Sequence, residues 1–497
     1  MDYLKLKSGT DVRGVAVEGV EGEHIQLTNE CVCTITDAFL YRLCEKTNKN
    51  AADLVIAVGH DSRISAERIK GCVIDTLRSK GVSVIDCSMA STPAMFMTTV
   101  MLNTDAAVQI TASHHPFNRN GLKFFTKEGG LGGSDISAVL KAANENKAVP
   151  SAEGSVRKYD FMADYAAHLR RLIIDGTGED KPLSGFKIAV DAGNGAGGFY
   201  AYDVLAPLGA DISGSRYLEP DGMFPNHIPN PENEQAMQSI CEAVLQSGSD
   251  LGVIFDTDVD RGGCVDAHGN EINRNRLVAL AAAIALEGHE GGTIVTDSVT
   301  SSGLKDFIEN ELHGVHYRFK RGYKNVIDES IRLNSEGIDS PLAIETSGHA
   351  AFSENYFLDD GAYLVTKIII KAVNLRKSGG SIEQLTAALK EPIETSELRF
   401  KIKADDFRAY GESVISALSD YAEKHGWDIA PDNREGLRVS FGHGWFLLRL
   451  SVHDPIMPLN IESDVNGGVL KIANELFGFL QTADMLDITP IKTLLSK

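Results

Sequence analysis

The sequence lacks most features that mark secreted, membrane-spanning or metal-finger proteins. Its seven cysteines form no CxxC pair and most lie in apolar runs, which is typical of reduced, buried thiols rather than of a disulfide framework or a zinc site. The first residues lack the apolar core of a signal peptide, and no stretch is apolar enough to span a bilayer. We therefore expect a cytoplasmic protein without a membrane partner.

Positive charge is also scarce in this chain. The 497 residues include 69 acidic and 48 basic side chains, which gives a formal net charge of −21. Such a surface argues against binding to nucleic acid or to an anionic membrane. An anionic substrate would have to be held by a locally basic cleft, so the basic residues inside loop motifs become the informative ones.

The length and the order of apolar runs predict several domains. A chain of 497 residues is too long for one core, and about 150 residues per domain suggests three or four. Alternating strands and helices predict parallel α/β sheets in the first three domains, and an antiparallel pattern predicts a separate α+β domain at the end. The predicted boundaries are 1–150, 156–266, 267–392 and 395–497.

One polar loop combines the residue types needed for chemistry at a serine. Residues 111–116 read Thr-Ala-Ser-His-His-Pro and follow a short apolar run, which predicts a loop between two strands. A nucleophilic Ser113 needs a proton acceptor, such as His114 or His115, and a neutralising cation, such as Lys123. Alternatively, Ser113 carries a phosphate that needs a cation opposite it, or the loop is only a capped turn. We expect an exposed serine hydroxyl.

A second loop concentrates negative charge. The apolar run 251–255 leads directly into Asp256, Asp258 and Asp260, followed by Arg261. Carboxylates at alternate positions repel one another unless a cation lies among them. Magnesium prefers oxygen ligands and commonly takes a few carboxylates together with a phosphate oxygen. The pattern therefore favours a catalytic magnesium site, with a structural calcium loop as the alternative.

Two further loops carry polar side chains suited to a phosphosugar. Residues 8–14 form a turn-rich loop in which Arg13 could fork onto a phosphate, although a surface turn is an alternative. Glu345, Ser347 and His349 alternate after an apolar run, so an extended segment would place all three on one side. Such a set suits sugar hydroxyls, but it is equally typical of a polar strand edge.

A glycine-rich turn offers a competing interpretation. Gly193, Gly195 and Gly198 match the G-x-G-x-x-G pattern between a strand and a helix, and Asp211 lies where a ribose-binding acid would be expected. This pattern indicates a dinucleotide-binding enzyme as an alternative. We discount it because a tight turn between a strand and a helix requires glycines in any case.

Taken in order, these loops resemble those of the α-D-phosphohexomutase superfamily, over essentially the whole chain. The superfamily has a TASHNP-like phosphoserine loop, a DGDGDR-like metal loop, a GExSGH-like sugar loop and a late RxSxTEP-like phosphate loop. The corresponding segments here are residues 111–116, 256–261, 345–349 and 449–455. The resemblance implies three similar α/β domains with mixed sheets and a smaller C-terminal α+β domain, arranged around a central cleft.

The resemblance also implies roles for single residues. Ser113 is the expected phosphoryl donor, and Ser113, Asp256, Asp258 and Asp260 are the expected Mg²⁺ ligands. The groups expected around them for proton transfer and charge stabilisation are Arg13, His114, Lys123 and Arg261. The residues expected to bind the sugar are Gly322, Tyr323, Lys324, Glu345, Ser347 and His349. The residues expected to bind the second phosphate are Arg449, Ser451, His453 and Arg438.

The chain departs from the superfamily pattern mainly in its last domain. Residues 452–454 read Val-His-Asp where the superfamily has Asn-Thr-Glu, and Pro458 stands where many members have an arginine. His115 replaces the usual asparagine of the serine loop, which is a smaller change. We therefore expect the second phosphate site to differ from that of the superfamily.

The implied activity is a phosphohexomutase that interconverts hexose 1-phosphate and hexose 6-phosphate through phosphoserine and a hexose 1,6-bisphosphate. Residues 357–363 look like those of enzymes acting on mannose or glucose. The alternatives are a phosphoglucosamine mutase, a haloacid-dehalogenase-like phosphohydrolase with Asp256 as nucleophile and Asp258 as acid/base, and a non-catalytic sugar-phosphate sensor. The expected partner is a phosphosugar, and both a monomer and a dimer remain open.

Overall fold

A computed structural model describes residues 2–451 and 454–496. His453, a predicted phosphate ligand, lies outside the described residues. The chain divides into two compact units, one formed by Met1–Leu277 and Ser347–Gln384 and the other by Val278–Thr346 and Leu385–Lys497. Among the described residues, no helix is both long enough and apolar enough to cross a membrane.

The helices are distributed along the whole described chain. Their bounds are α1 Asn29–Thr47, α2 Ala66–Arg78, α3 Thr92–Met101, α4 Gly133–Asn144, α5 Phe161–Thr177, α6 Glu234–Ser247, α7 Arg274–Ala285, α8 Ser302–Asp306, α9 Tyr323–Ser335, α10 Gly361–Lys377, α11 Phe407–Lys424, α12 Gly468–Leu480 and α13 Thr489–Leu495. Helix α3 illustrates the local causes, because the Ser91 side chain accepts from Ala94 N–H and Pro93 occupies the first turn.

The strands alternate with these helices until the last domain. Their bounds are β1 Lys7–Ser8, β2 Asp11–Val15, β3 Val55–His60, β4 Ser83–Met89, β5 Ala106–Ile110, β6 Arg119–Thr126, β7 Gly129–Gly130, β8 Ser155–Lys158, β9 Ile188–Asp191, β10 Leu251–Phe255, β11 Gly262–Asp266, β12 Glu271–Ile272, β13 Thr293–Thr296, β14 Val315–Arg318, β15 Leu342–Ile344, β16 Ala350–Phe352, β17 Leu358–Asp359, β18 Glu394–Lys401, β19 Asp428–Ile429, β20 Leu437–Phe441, β21 Gly444–Leu448 and β22 Ile456–Ser463.

The first unit contains two mixed sheets. In the larger sheet the strand order is β1-β2-β6-β5-β3-β4-β8, with β7 on β6. Strands β5, β3, β4 and β8 are parallel, whereas β6 is antiparallel to β5. The smaller sheet has the order β12-β11-β10-β9, in which only β9 and β10 are parallel. Strands β5 and β10 are fully buried, so the loops that follow them are held by rigid elements.

The second unit combines parallel and antiparallel strands. Strands β14, β13 and β15 are parallel and belong to the third α/β domain. The C-terminal sheet has the order β18-β22-β21-β20-β19, with antiparallel pairing throughout. Its buried face packs against helices α11 and α12 around Phe400, Phe446 and Leu476. The predicted fold class, three α/β domains with mixed sheets and a C-terminal α+β domain, is confirmed.

Candidate active site

Ser113 lies in the turn between β5 and β6 with an unusual backbone conformation. Its φ is +50°, in the left-handed region that non-glycine residues rarely adopt. Its N–H donates to Thr111 Oγ1 at 2.9 Å, and its carbonyl accepts from Arg63 Nη2. The backbone of the serine is therefore held on both sides.

The expected exposure of the Ser113 hydroxyl is wrong, because the side chain is buried at 1% exposure. The loop after β10 covers it. Ser113 Oγ donates to Asp256 Oδ2 at 2.9 Å and lies 3.3 Å from His114 Nδ1. Arg261 Nη2 reaches the same oxygen at 3.5 Å. The structure thus brings together the serine loop and the aspartate loop, which are more than a hundred residues apart in sequence.

The three aspartates of the second loop form a compact buried cluster. Asp256, Asp258 and Asp260 are each at most 1% exposed, and one oxygen from each lies within 4.8 Å of the others. Burial, then the charges of Asp260 and Asp258, raise the pKa of Asp256 well above its usual value. Burial would also raise the pKa of Asp260, but Lys123, which donates to Asp260 Oδ2, outweighs it together with His349 and Arg261, and that pKa is lowered.

The same cluster has the donor set of a magnesium site. Asp258 Oδ1 and Asp260 Oδ1 are buried oxygens that accept no hydrogen bond from any described residue. Buried carboxylate oxygens without a donor are costly unless a cation compensates them. With Asp256 and the Ser113 oxygen beside them, the residues present fit Mg²⁺, which takes hard oxygen ligands.

Arg261 connects both loops to a buried histidine. Its Nη2 lies 2.8 Å from His114 Nδ1, and its Nε donates to His349 Nε2 at 2.9 Å. On its other side, His349 Nδ1 lies 2.6 Å from Asp359 Oδ2. Burial opposes a charge on His349, but the negative charges of Asp359 and Asp260, with the hydrogen bond to Asp359, outweigh burial and raise the pKa of His349. His349 therefore contacts Arg261 and Asp359, a geometry that the alternating sugar motif did not predict.

The remaining predicted catalytic residues of the first unit surround this centre. Lys123 Nζ lies 3.5 Å from Asp258 Oδ2. Burial lowers the pKa of His114 far below its usual range, and the positive charge of Arg261 adds to this effect. Arg13, on β2, pairs with Asp11 at 2.7 Å, and its charge also disfavours a proton on His114. Burial and these two cations therefore disfavour a proton on His114.

Sequence reasoning missed two residues that hold these loops. Thr92 Oγ1 donates to Asp258 Oδ2, and Thr92 N–H donates to the Asp258 carbonyl at 2.8 Å. Arg63 donates to carbonyls of the serine loop. Both residues follow the carboxyl ends of parallel strands, β4 and β3 respectively. Ligand and catalytic sites in such sheets lie at the carboxyl ends of the strands. The positions of Thr92 and Arg63 just after predicted strands could therefore have indicated that they lie at the site.

The glycine-rich turn after β9 serves backbone packing. A Cβ on Gly195 would lie 2.6 Å from the Thr257 carbonyl oxygen, and one on Gly198 would lie 2.2 Å from the Leu218 carbonyl oxygen. The Ala196 N–H donates to the same Thr257 carbonyl at 2.8 Å. These glycines let the turn approach the aspartate loop, so their pattern needs no dinucleotide to explain it.

The predicted sugar-binding residues of the second unit meet at one loop. Glu345 is 3% exposed, and its Oε1 accepts from Gly322 N–H at 2.6 Å. Tyr323 begins α9, and Lys324 pairs with Asp328 one turn later. The Gly322 backbone has a φ of +117°, which a side chain would strain. Ser347, which belongs to the first unit, is also buried, at 5% exposure.

The predicted phosphate-binding residues differ in how they are held. Arg449 Nη1 lies 4.0 Å from Glu435 Oε1, and its buried Nε has no hydrogen-bond partner among the described residues. Ser451 Oγ accepts from Asp454 N–H at 3.2 Å. Arg438 stacks on the Trp445 ring at 3.5 Å and donates to two backbone carbonyls, those of Ser298 and Thr300. Each arginine thus keeps one buried nitrogen without a hydrogen-bond partner among the described residues, Nε in Arg449 and Nη2 in Arg438.

Comparison with known proteins agrees with this geometry. Residues 6–149, 163–269 and 273–392 match the families described as phosphoglucomutase/phosphomannomutase, alpha/beta/alpha domains I, II and III. The chain is 30% identical over 421 residues to a phosphomannomutase/phosphoglucomutase of Pseudomonas putida, covering 84% of this chain and 85% of that protein. It is 29% identical over 464 residues to a phosphoglucomutase/phosphomannomutase of Thermococcus kodakarensis, covering 92% and 94%.

A solved structure gives the same result. The crystal structure of a phosphoglucomutase/phosphomannomutase family protein from Burkholderia thailandensis superposes with a TM-score of 0.81 at 25% identity, covering 98% of this chain and 100% of that one. A putative phosphomannomutase from Thermus thermophilus shares the fold, with a TM-score of 0.72 at 18% identity, covering 95% and 99%. The chain belongs to the phosphoglucomutase/phosphomannomutase family.

Proposed function

We propose that this chain is a cytoplasmic phosphohexomutase that interconverts hexose 1-phosphates and hexose 6-phosphates, with mannose, glucose or both as the sugar. The observation that carries the proposal is the 2.9 Å contact between Ser113 Oγ and Asp256 Oδ2. A serine hydroxyl buried against three carboxylates and two cations is suited to carrying a phosphoryl group. The relatives named phosphomannomutase/phosphoglucomutase support the same activity.

In this proposal, Ser113 carries the phosphoryl group and the three aspartates bind a metal ion. A phosphate on Ser113 brings about −1.5 to −2 charges close to Asp256, Asp258 and Asp260. In the proposal, these four side chains hold Mg²⁺. When bound, the ion neutralises charge and orients the phosphoryl group for transfer.

Arg261 and Lys123 supply the protein's own positive charge at this site. Arg261 is held by His349 on one side and by His114 on the other, so its guanidinium does not need to reorganise during the reaction. Lys123 is held by Asp260 and Asp258. Fixed cations that face developing charge stabilise a loose phosphoryl-transfer transition state. Arg13 completes the basic surroundings of the serine loop.

The second unit supplies the substrate-binding groups in this proposal. The sugar hydroxyls would contact Glu345 and the loop of Gly322, Tyr323 and Lys324. Ser347, from the first unit, would contact them as well. Arg449 and Ser451 would hold the phosphate that does not react, which places the attacking hydroxyl in line. The phosphoryl group passes from Ser113 to the sugar, and the hexose 1,6-bisphosphate then returns its other phosphate to the serine. The four predicted domain boundaries are part of the same proposal.

The phosphohydrolase alternative assigns the covalent phosphate to Asp256. The Ser113 hydroxyl already donates to one of its oxygens. This contact favours Ser113 as the phosphorylated residue.

Turnover of glucose 1-phosphate and mannose 1-phosphate, with Mg²⁺ and a hexose 1,6-bisphosphate primer, tests the proposal. Intact mass after incubation with the bisphosphate should show one added phosphate that maps to Ser113. A hydroxylamine-labile phosphate on Asp256 would instead support a phosphohydrolase. Glucosamine 6-phosphate as the preferred substrate would support a phosphoglucosamine mutase, and binding without turnover would support a sensor.

A further inference from the structure

Arg63 is a buried arginine whose guanidinium contacts the serine loop only through backbone carbonyls. The residue is 2% exposed and lies between β3 and α2. Its Nη2 donates to the carbonyls of Ser113 and of His115, the latter at 2.6 Å. Its Nη1 donates to the carbonyls of Pro116 at 2.7 Å and Arg119 at 2.9 Å. One side chain thus binds four carbonyls across the whole loop.

Asp61 pairs with the same guanidinium. Asp61 is 0% exposed, and its Oδ2 lies 3.3 Å from Arg63 Nε. Its Oδ1 accepts from the Arg63 N–H at 3.0 Å. Asp61 therefore holds Arg63 in place beside the serine loop, while the Ser113 N–H is held separately by Thr111 Oγ1 at 2.9 Å.

Ser113 has a backbone conformation that must be stabilised by its surroundings. Ser113 has a φ of +50°, and such a conformation persists only where the surroundings determine it. The loop also directs four carbonyl dipoles toward one point. These dipoles would repel one another if no cation lay there. Only a guanidinium offers five donors in a planar fork, so a lysine cannot replace all four bonds.

We infer that Arg63 is a positioning residue for phosphoryl transfer, which sets the direction of Ser113 Oγ toward Asp256 and Arg261. Arg63 does not touch the reacting atoms, because each of its contacts to the loop is made to a backbone carbonyl. The inference rests on the proposed function, since it deepens the role assigned to Ser113. A displacement of about 1 Å at a reacting group can cost about a hundredfold in rate.

Arg68 provides a matched control in the same domain. It is half-buried on α2 and donates to the carbonyls of Ala16 at 2.8 Å and Leu27 at 3.1 Å, and to Asn29 Oδ1 at 2.7 Å. Like Arg63, it ties backbone carbonyls together, but none of its hydrogen bonds to the described residues reaches the serine loop. Arg63→Lys and Arg68→Lys therefore both disturb bonds from a guanidinium to backbone carbonyls, four around the serine loop and two elsewhere in the same domain.

The first test compares the steady-state kinetics and melting temperatures of the two variants. Arg63→Lys should lower kcat about a hundredfold and leave KM within about threefold of the wild type. Arg68→Lys should lower the melting temperature without lowering kcat. A kcat of Arg63→Lys close to that of the wild type would overturn the inference. So would a loss of kcat in both variants that follows their loss of thermal stability.

The second test needs no substrate, so it separates this inference from the proposed function. Amide hydrogen exchange at Ser113 and His115 should be faster in Arg63→Lys than in the wild type, and unchanged in Arg68→Lys. If Arg63→Lys does not fold, Asp61→Asn keeps the side-chain shape but removes the charge 3.3 Å from Arg63 Nε, and it should accelerate exchange at Ser113 and His115. Unchanged exchange in these loop variants contradicts the positioning role. Absence of turnover and of phosphoserine in the wild type contradicts the proposed function instead.

Discussion

The serine and aspartate loops of the first unit differ from the arginine loop of the second unit in how many ion pairs fix their charged groups. Asp260 is 1% exposed and lies within ion-pair distance of both Lys123 and Arg261. In contrast, Arg449 has one acidic neighbour at 4.0 Å, and its Nε has no hydrogen-bond partner in the described part of the chain.

The two regions are therefore expected to contribute differently to catalysis and to substrate binding. Groups fixed by their own unit need not reorganise during the reaction, so they act on the transition state. A cation with unused hydrogen-bond donors binds a ligand anion equally well in the ground state and in the transition state. We therefore expect changes in the first unit to lower kcat and changes in the arginine loop to raise KM.

The largest effect is expected from Ser113→Ala. Loss of the phosphoryl carrier should lower turnover by about a thousandfold or more, whereas the melting temperature should change little because a single hydroxyl is removed. A coupled assay with glucose 1-phosphate and circular dichroism measure the two quantities. Ser137→Ala on α4 is the control and should keep full activity. Normal turnover by Ser113→Ala would refute the proposed function.

A somewhat smaller effect is expected from Asp258→Asn, which removes one charge from the proposed metal site. It should lower kcat about a hundredfold and raise the Mg²⁺ concentration needed for half-maximal activity. Asp266→Asn is the control, because Asp266 is buried in the same sheet but bonds only to its own turn. A Mg²⁺ titration that is identical for Asp258→Asn and the wild type would remove Asp258 from the site.

Arg449→Lys tests the other side of the comparison. Replacing the guanidinium fork should raise KM for the hexose phosphate about tenfold and change kcat by less than about threefold. Steady-state kinetics measure both parameters. Arg399→Lys, at an exposed pair with Glu397, is the control. If Arg449→Lys lowers kcat and leaves KM unchanged, the distinction between the two regions fails.

The smallest effect concerns Glu462, a half-buried acid of the second unit. Burial raises its pKa to about 7, and the charge of Arg438 only partly offsets this. Because the folded protein holds this proton more tightly than the unfolded chain, the contribution to stability is present at low pH and is lost as pH rises through about 7. The loss should be about 1 to 3 kcal/mol.

Melting temperatures at pH 6 and pH 8.5 test this expectation. Glu462→Gln should make the melting temperature less dependent on pH over this interval, because it removes the titrating carboxyl group. The exposed Glu475→Gln should follow the wild type. An equally steep pH dependence in Glu462→Gln would show that this carboxyl does not contribute. It would also weaken the contrast with Asp260, for which nearby cations outweigh burial.

Much of the site could be predicted from sequence because its chemistry lies in short loops after apolar strands. Asp256, Asp258 and Asp260 alternate within five residues, and the serine motif is local in the same way. Strands β5 and β10 were predictable because apolar runs of that length are typical of buried strands. The alternation of strands and helices predicted a parallel sheet for the first domain, but the sheet is mixed. The reason is that β6 directly follows the serine turn and pairs with β5 in the antiparallel direction.

The sequence alone therefore identified the residues to which the proposal assigns the chemistry, but the tertiary structure decided what holds them. Strand β3 lies between β4 and β5 in the first sheet, and this order brings Arg63 to the serine loop and Thr92 to the level of the aspartates. The burial of Ser113 also arises only when a second domain covers it. These contacts join residues far apart along the chain, and local sequence patterns carry no record of which strands become neighbours.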